Sequence, residues 1–151
     1  MKLAEALAER AEIQTRLAQL QARATENARI QEGDEVAEDP AALAEEAERL
    51  FARLQELMSR INLTNSRTAF DETRSITDAI AERDLETRRA AFYAGLADAA
   101  AARMDRFSRS EVKFVATVDV KATRAKADAA AKRRRELDTR LQQLNWTTEL
   151  V

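Results

Sequence analysis

The chain has 151 residues, enough for one domain with a modest core, and is 45% hydrophobic, 34% charged and only 5% aromatic. It contains neither Cys nor His, which excludes disulfides, thiolate nucleophiles, His general bases, Cys/His zinc sites and His-ligated iron. The net charge is −2, unevenly spread: residues 31–62 hold nine acidic and three basic side chains, residues 111–151 six acidic and nine basic, so an acidic segment can dock on a basic one.

Thirty-two Ala and fifteen Leu beside two Gly and one Pro is the composition of long, closely packed helices. The opening segment, Met1 to Arg10, carries charges where a signal peptide needs an apolar core, and no run reaches the roughly 18 apolar residues of a membrane span. The expectation is a cytoplasmic protein, in which the Asn-x-Thr triplets at Asn62 and Asn145 are irrelevant to glycosylation.

In the first predicted helix Leu3, Ala6, Arg10, Ile13, Leu17, Leu20 and Ala24 form a seam at alternating spacings of 3 and 4. Residues 31–39, acidic and containing Gly33, read as a connection. Asp39-Pro40 then starts the second helix: a capping carboxylate precedes a proline whose missing N–H costs nothing in the first turn. Its seam is Leu43, Ala47, Leu50, Leu54, Leu57 and Ile61. Ser75 and Asp78 form a capping-box-like pair opening a third helix to about Met104, with Ile76, Ile80, Leu85, Phe92 and Leu96 on a broad face. Residues 112–120 alternate as a strand does, with Arg29–Glu32 as a counterpart, so a small two-stranded ribbon is an option. Asp119 caps the fourth helix, whose seam runs Val120, Thr123, Ala127, Ala130, Arg134, Leu137, Leu141 and Leu144.

An internal echo organises these helices. Leu3-Ala4-Glu5-Ala6-Leu7-Ala8-Glu9-Arg10 returns as Ile76-Thr77-Asp78-Ala79-Ile80-Ala81-Glu82-Arg83, and Ile61-Asn62-Leu63-Thr64-Asn65 as Leu144-Asn145-Trp146-Thr147-Thr148. The sequence therefore predicts a single domain of all-α class: an antiparallel long-helix bundle of two related hairpins, residues 1–65 and 75–151. Leu43, Leu50, Leu54, Leu57, Ile61, Leu137, Leu141 and Leu144 are the expected packing or self-association positions. Arg10, Arg83 and Arg134 are candidates for setting helix register, with Arg134 on a seam and expected to pair with acids of the second helix. Asn62, Leu63, Asn145 and Trp146 form the repeated closing motif, in which Leu63 and Trp146 are expected as buried lids on the helix ends.

Several stretches together resemble a small bacterial family carried under the name septicolysin. They are Lys2-Leu3-Ala4-Glu5-Ala6-Leu7, Gln31-Glu32-Gly33-Asp34 with Ala37-Glu38-Asp39-Pro40, Arg60-Ile61-Asn62 with Thr64-Asn65, Phe114-Val115 with Thr117-Val118-Asp119-Val120, and the terminal Asn145-Trp146-Thr147-Thr148-Glu149-Leu150. The resemblance implies a helical protein of similar length, and the family name implies a cytolysin. No catalytic residues come with it.

As an enzyme the chain offers only carboxylates, Lys, Arg, Ser/Thr and Tyr93. Glu45-Glu46-Glu48 and Asp34-Glu35 read as a solvated helix start favoured by the helix dipole, and Gly33 and Gly95 stand alone, so neither builds a phosphate loop. The run Lys132-Arg133-Arg134-Arg135 turns roughly 100° per residue and girdles its helix, which argues against a nucleic-acid stripe. The reading is a non-enzymatic, homo-oligomeric helical scaffold or partner-binding protein without cofactor, metal or nucleic-acid partner. A membrane-active, cytolysin-like protein is the alternative, with residues 112–120 as an insertion element.

Overall fold

The computed structural model describes residues 1–102 and 112–151, and among these the fold is all-α, as the helical seams predict. Four helices follow in chain order: α1 (Leu3–Glu26), α2 (Pro40–Arg67), α3 (Ile76–Ala101) and α4 (Val120–Thr147). The chain divides into two compact units, residues 1–69 with 143–151, and residues 70–142. The closing nine residues thus group with the first hairpin and not, as the echo suggested, with the second.

The helix starts follow the local chemistry. Asp39 Oδ1 accepts the Ala41 N–H at 3.0 Å, with Pro40 in the first turn. Ser75 Oγ accepts the Asp78 N–H at 3.2 Å while Asp78 Oδ2 accepts the Ser75 N–H at 2.8 Å, a reciprocal box with Asp in place of Glu. Asp119 Oδ1 accepts the Ala122 N–H at 2.9 Å. Between α1 and α2 the chain turns at Gly33, whose φ of 94° lies in the left-handed region, and the Asp34 N–H closes the turn onto the Gln31 carbonyl at 3.1 Å.

In the first unit α1 buries Leu3, Ala6, Ile13 and Leu20 and α2 buries Leu43, Leu57, Ile61 and Thr64. Arg53 Nε donates to Glu9 Oε1 at 2.7 Å, Arg16 Nε to Glu46 Oε1 at 2.7 Å, and Arg23 pairs with Glu38. As residue numbers rise along one helix the partners fall along the other, so the hairpin is antiparallel. The last residues complete this unit: the Leu150 N–H donates to the Met1 carbonyl, the Leu3 N–H to the Thr148 carbonyl, both at 2.9 Å, and Leu150 is buried. Thr64 Oγ1 accepts the Val151 N–H at 3.0 Å and donates to the Arg60 carbonyl at 2.8 Å.

In the second unit α3 buries Ile76, Ala79, Glu86 and Ala97, α4 buries Thr123, Ala127, Ala130, Leu137 and Leu141, and Phe70 lies beside them in the core set. Arg133 Nε donates to Glu82 Oε1 at 2.9 Å, Arg83 lies 3.4 Å from Asp138, and Arg124 Nη1 donates to Asp98 Oδ1 at 2.8 Å. This hairpin is antiparallel by the same logic.

Position by position the two units match at a shift of 73 for the first helices (Leu3 to Ile76) and 80 for the second (Pro40 to Val120). At that register the caps Asp39 and Asp119, the pairs Glu9–Arg53 and Glu82–Arg133, and the core residues Leu57 with Leu137 and Ile61 with Leu141 coincide. The bonds that close the ends of α2 and α4 share this spacing, Thr68 N–H to Thr64 and Thr148 N–H to Leu144, each 2.9 Å, although both lie in the first unit. The expected equivalence of Asn62 with Asn145 and Leu63 with Trp146 is therefore corrected: Asn145 matches Asn65, three residues further on.

The ribbon expectation is corrected as well. Neither Arg29–Glu32 nor residues 112–120 form a strand; the latter are irregular up to the start of α4, and neighbours of opposite parity, Phe114 (84% exposed) and Val115, both face solvent. Alternation alone supplies no sheet when neither stretch meets the other's backbone. A backbone bridge does form between Lys2 and Glu149. Glu111, the flank assigned to that strand, lies outside the described residues, as does the predicted end of the third helix at Met104.

The ion pairs set an acid limit on stability. Hydrogen bonds from Arg53 and Arg133 hold the carboxyls of Glu9 and Glu82 below their ordinary 4.5, and Arg74 with the Thr73 N–H holds Asp71 down to about 2. A depressed folded-state pKa contributes stability above the unfolded value and loses it as pH falls through the folded one. Urea midpoints followed by circular dichroism should stay level from pH 7 to about 5, where no side chain of this His-free sequence ordinarily titrates, and then fall steadily below pH 4.5.

Candidate functional site

The predicted seam residues go inward. Leu43, Leu57, Ile61, Leu137 and Leu141 are buried within the chain, and Leu50, Leu54 and Leu144 are half-buried. The five buried ones are core, so a contact with another molecule has to use other side chains.

Apolar side chains that the core leaves out cluster by helical spacing. On α3, Leu85 (57% exposed), Phe92 (66%) and Leu96 (37%) stand seven and four residues apart, which places them on one face. The broad face read from sequence is thus split: Ile76 is buried and Ile80 half-buried, while the other three point outward. On α2, Phe51 and Met58 are exposed and again seven apart. Phe51 borders a groove of about 520 Å3 in the first unit, lined with Leu17, Leu20, Leu43 and Ala47. Phe92 meets Tyr93 edge to face, ring centroids 5.3 Å apart.

The register candidates behave differently from one another. Arg83 is half-buried and bridges Asp84, at 2.9 Å, and Asp138. Arg10, its match in α1, is half-buried too, but the position across from it is Met58 and no ion pair among the described residues reaches it. Arg134 is exposed, against the expectation of a seam pair with the second helix. Its long side chain leaves the apolar seam for water, and the neighbouring Arg133 makes the interhelical pair, with Glu82 of α3. The sequence places Arg133 only in the basic run 132–135 and not in an interhelical pair, although Glu9–Arg53 and Glu82–Arg133 occupy matched positions.

The closing motif also departs from expectation. Trp146 is 65% exposed and Leu63 is exposed, so neither is a buried lid. Thr64 and Leu150 are buried at that end of the first unit instead, because the chain after Thr147 turns back along Met1 and Thr64. Asn62 is exposed and Asn145 half-buried. No group of three or more Asp or Glu among the described residues is arranged to hold a metal ion, and no described helix is long and apolar enough to cross a membrane.

Residues 10–150 match the profile of a family of unknown function, DUF6847. The chain belongs to this family. A solved structure described as a "functionally unknown conserved protein from Corynebacterium diphtheriae" is similar at 47% identity, over 100% of this chain and 99% of that one, with a TM-score of 0.95. No curated protein matches the chain. The resemblance to septicolysin is thereby corrected: apart from Lys2–Leu7, the stretches that suggested it lie within the DUF6847 match, and neither finding carries that name or a lytic activity.

Proposed function

We propose that this DUF6847 protein is a non-enzymatic helical scaffold that works by self-association, a second copy docking on the exposed apolar face of α3. The observation that carries this reading is the run Leu85, Phe92, Leu96, three large side chains left in water on one helix face. Three side chains from each of two copies, at about 1.5 kcal/mol each, contribute on the order of 10 kcal/mol before the cost of association. A net charge of only −2, with an acidic surplus in residues 31–62 and a basic one in 111–151, favours the approach of a second copy over repulsion. The absence of Cys and His supports a role without catalysis.

The experiment is sedimentation velocity on the native chain and on a Leu85→Glu/Phe92→Glu double variant. Both positions are exposed, so the variant should keep its helical circular dichroism spectrum and lose the faster-sedimenting species. Unchanged sedimentation in a folded variant would remove the α3 face from the account.

A further inference from the structure

The second unit holds a cleft of about 570 Å3 between α3 and α4, walled by Glu86, Arg89, Tyr93, Lys126, Ala130 and Arg133. At the shifts of 73 and 80, the first unit has Ile13, Arg16, Leu20, Glu46, Leu50 and Arg53 in these places. There the site is closed: Arg16 pairs with Glu46 at 2.7 Å, and Ile13 and Leu20 are packed in the core. Three changes open its counterpart. Ala130 stands where the larger Leu50 is half-buried, Ala129 where the longer Arg49 stands, and Lys126 where Glu46 neutralises the arginine.

The result is an open cleft with a surplus of positive charge, four cations against two carboxylates once Lys132 and Glu136 at its border are included. Glu86 is only 8% exposed, and its Oε1 lies 3.4 Å from Arg89 and 4.0 Å from Arg133. Glu82 also pairs with Arg133, and Lys132 lies 3.9 Å from Glu136. Lys126 meets no carboxylate in this set; its ammonium lies 5.3 Å from the centre of the Tyr93 ring, held at the cleft wall.

We propose that this cleft binds a small organic anion, a phosphate or carboxylate carried on a planar body. The anionic group would take Lys126 and Arg89, and the planar part would lie along Tyr93 and the space vacated at Ala129 and Ala130. Glu86 acts as a positioning residue, fixing the guanidiniums of Arg89 and Arg133. This inference does not rest on self-association, although Arg89 stands between Leu85 and Phe92 on the α3 face assigned to the second copy.

The test is an amide NMR titration of the intact protein with phenyl phosphate, with inorganic phosphate and phenol in parallel. Phenyl phosphate should shift the amides of Tyr93, Lys126 and Ala130 saturably, with a dissociation constant of about 1 mM that weakens as salt rises. Each half-probe should bind at least roughly tenfold more weakly, having only part of the recognition. Lys126→Glu and Ala130→Leu restore the first unit's residues. Each should weaken binding at least about tenfold, the former through like-charge repulsion and the latter by filling the cleft. Lys126 is exposed, so its variant stays folded even if the larger side chain at position 130 is not accommodated. No saturable shift at these residues, equal binding of inorganic phosphate and phenyl phosphate, or undiminished binding by folded Lys126→Glu would overturn the proposal.

Discussion

Leu57→Ala should lower unfolding free energy by about 3–5 kcal/mol, and Leu137→Ala at the matched position of the second unit by about 2–4 kcal/mol. Leu57 is fully buried in α2 and its loss leaves a cavity that a helix pinned on both sides closes poorly, by the Arg53–Glu9 ion pair and by the hydrogen bond from Arg60 Nε to the Val151 carbonyl oxygen at 2.8 Å. Leu137 is slightly exposed at 7% and is flanked on α4 by Ala130 and Leu141 in the core, so water and local shifts relieve part of the cost. Against the roughly 5–15 kcal/mol stability of a domain, either change is large. Urea unfolding of both variants checks this, and Phe51→Ala on the exposed side of α2 should stay within about 1 kcal/mol.

Removing residues 148–151 is the second large effect, about 3–5 kcal/mol. The segment buries Leu150, supplies the Thr148 carbonyl to the Leu3 N–H, and gives the Val151 N–H to Thr64 Oγ1. Without it, Leu3 and Thr64, both fully buried at present, lose cover or hydrogen-bond partners. The ionic part is small: Glu149 lies 2.5 Å from Lys2 and 3.3 Å from the Met1 amine but is itself exposed, so Glu149→Gln should leave the melting temperature nearly unchanged. Thermal melts of the truncated chain and of Glu149→Gln separate the two contributions.

Much of this architecture can be read from local chemistry. Asp39-Pro40, Ser75 with Asp78, and Asp119 each mark a helix start because the capping bond forms within three residues of the cap. The core positions Leu3, Leu57, Ile61 and Leu141 follow from helical period alone. What the period cannot tell is which seam position a side chain abandons. Arg134 lies on the seam by spacing and in water by charge, and Leu85 belongs to an apolar face that α3 turns outward. Asn-x-Thr recurs too readily in such a sequence to set the closing register, whereas Asp39, Arg53, Leu57 and Asn65 with their counterparts eighty residues on carry the better signal. In the sequence the cleft at Lys126 is legible only as a difference between the two hairpins at that register. Nothing in the helical pattern of Trp146 announced that it would be exposed, since the fold of the last residues against Met1 decides it.

Self-association through α3 is tested most directly by the mass of the native chain, measured by light scattering behind size exclusion across a micromolar concentration series. The account predicts a particle of at least twice the 17.0 kDa of one chain, falling towards a single chain when Leu85 and Phe92 are both changed to Glu. A native mass of 17.0 kDa throughout the series would contradict it.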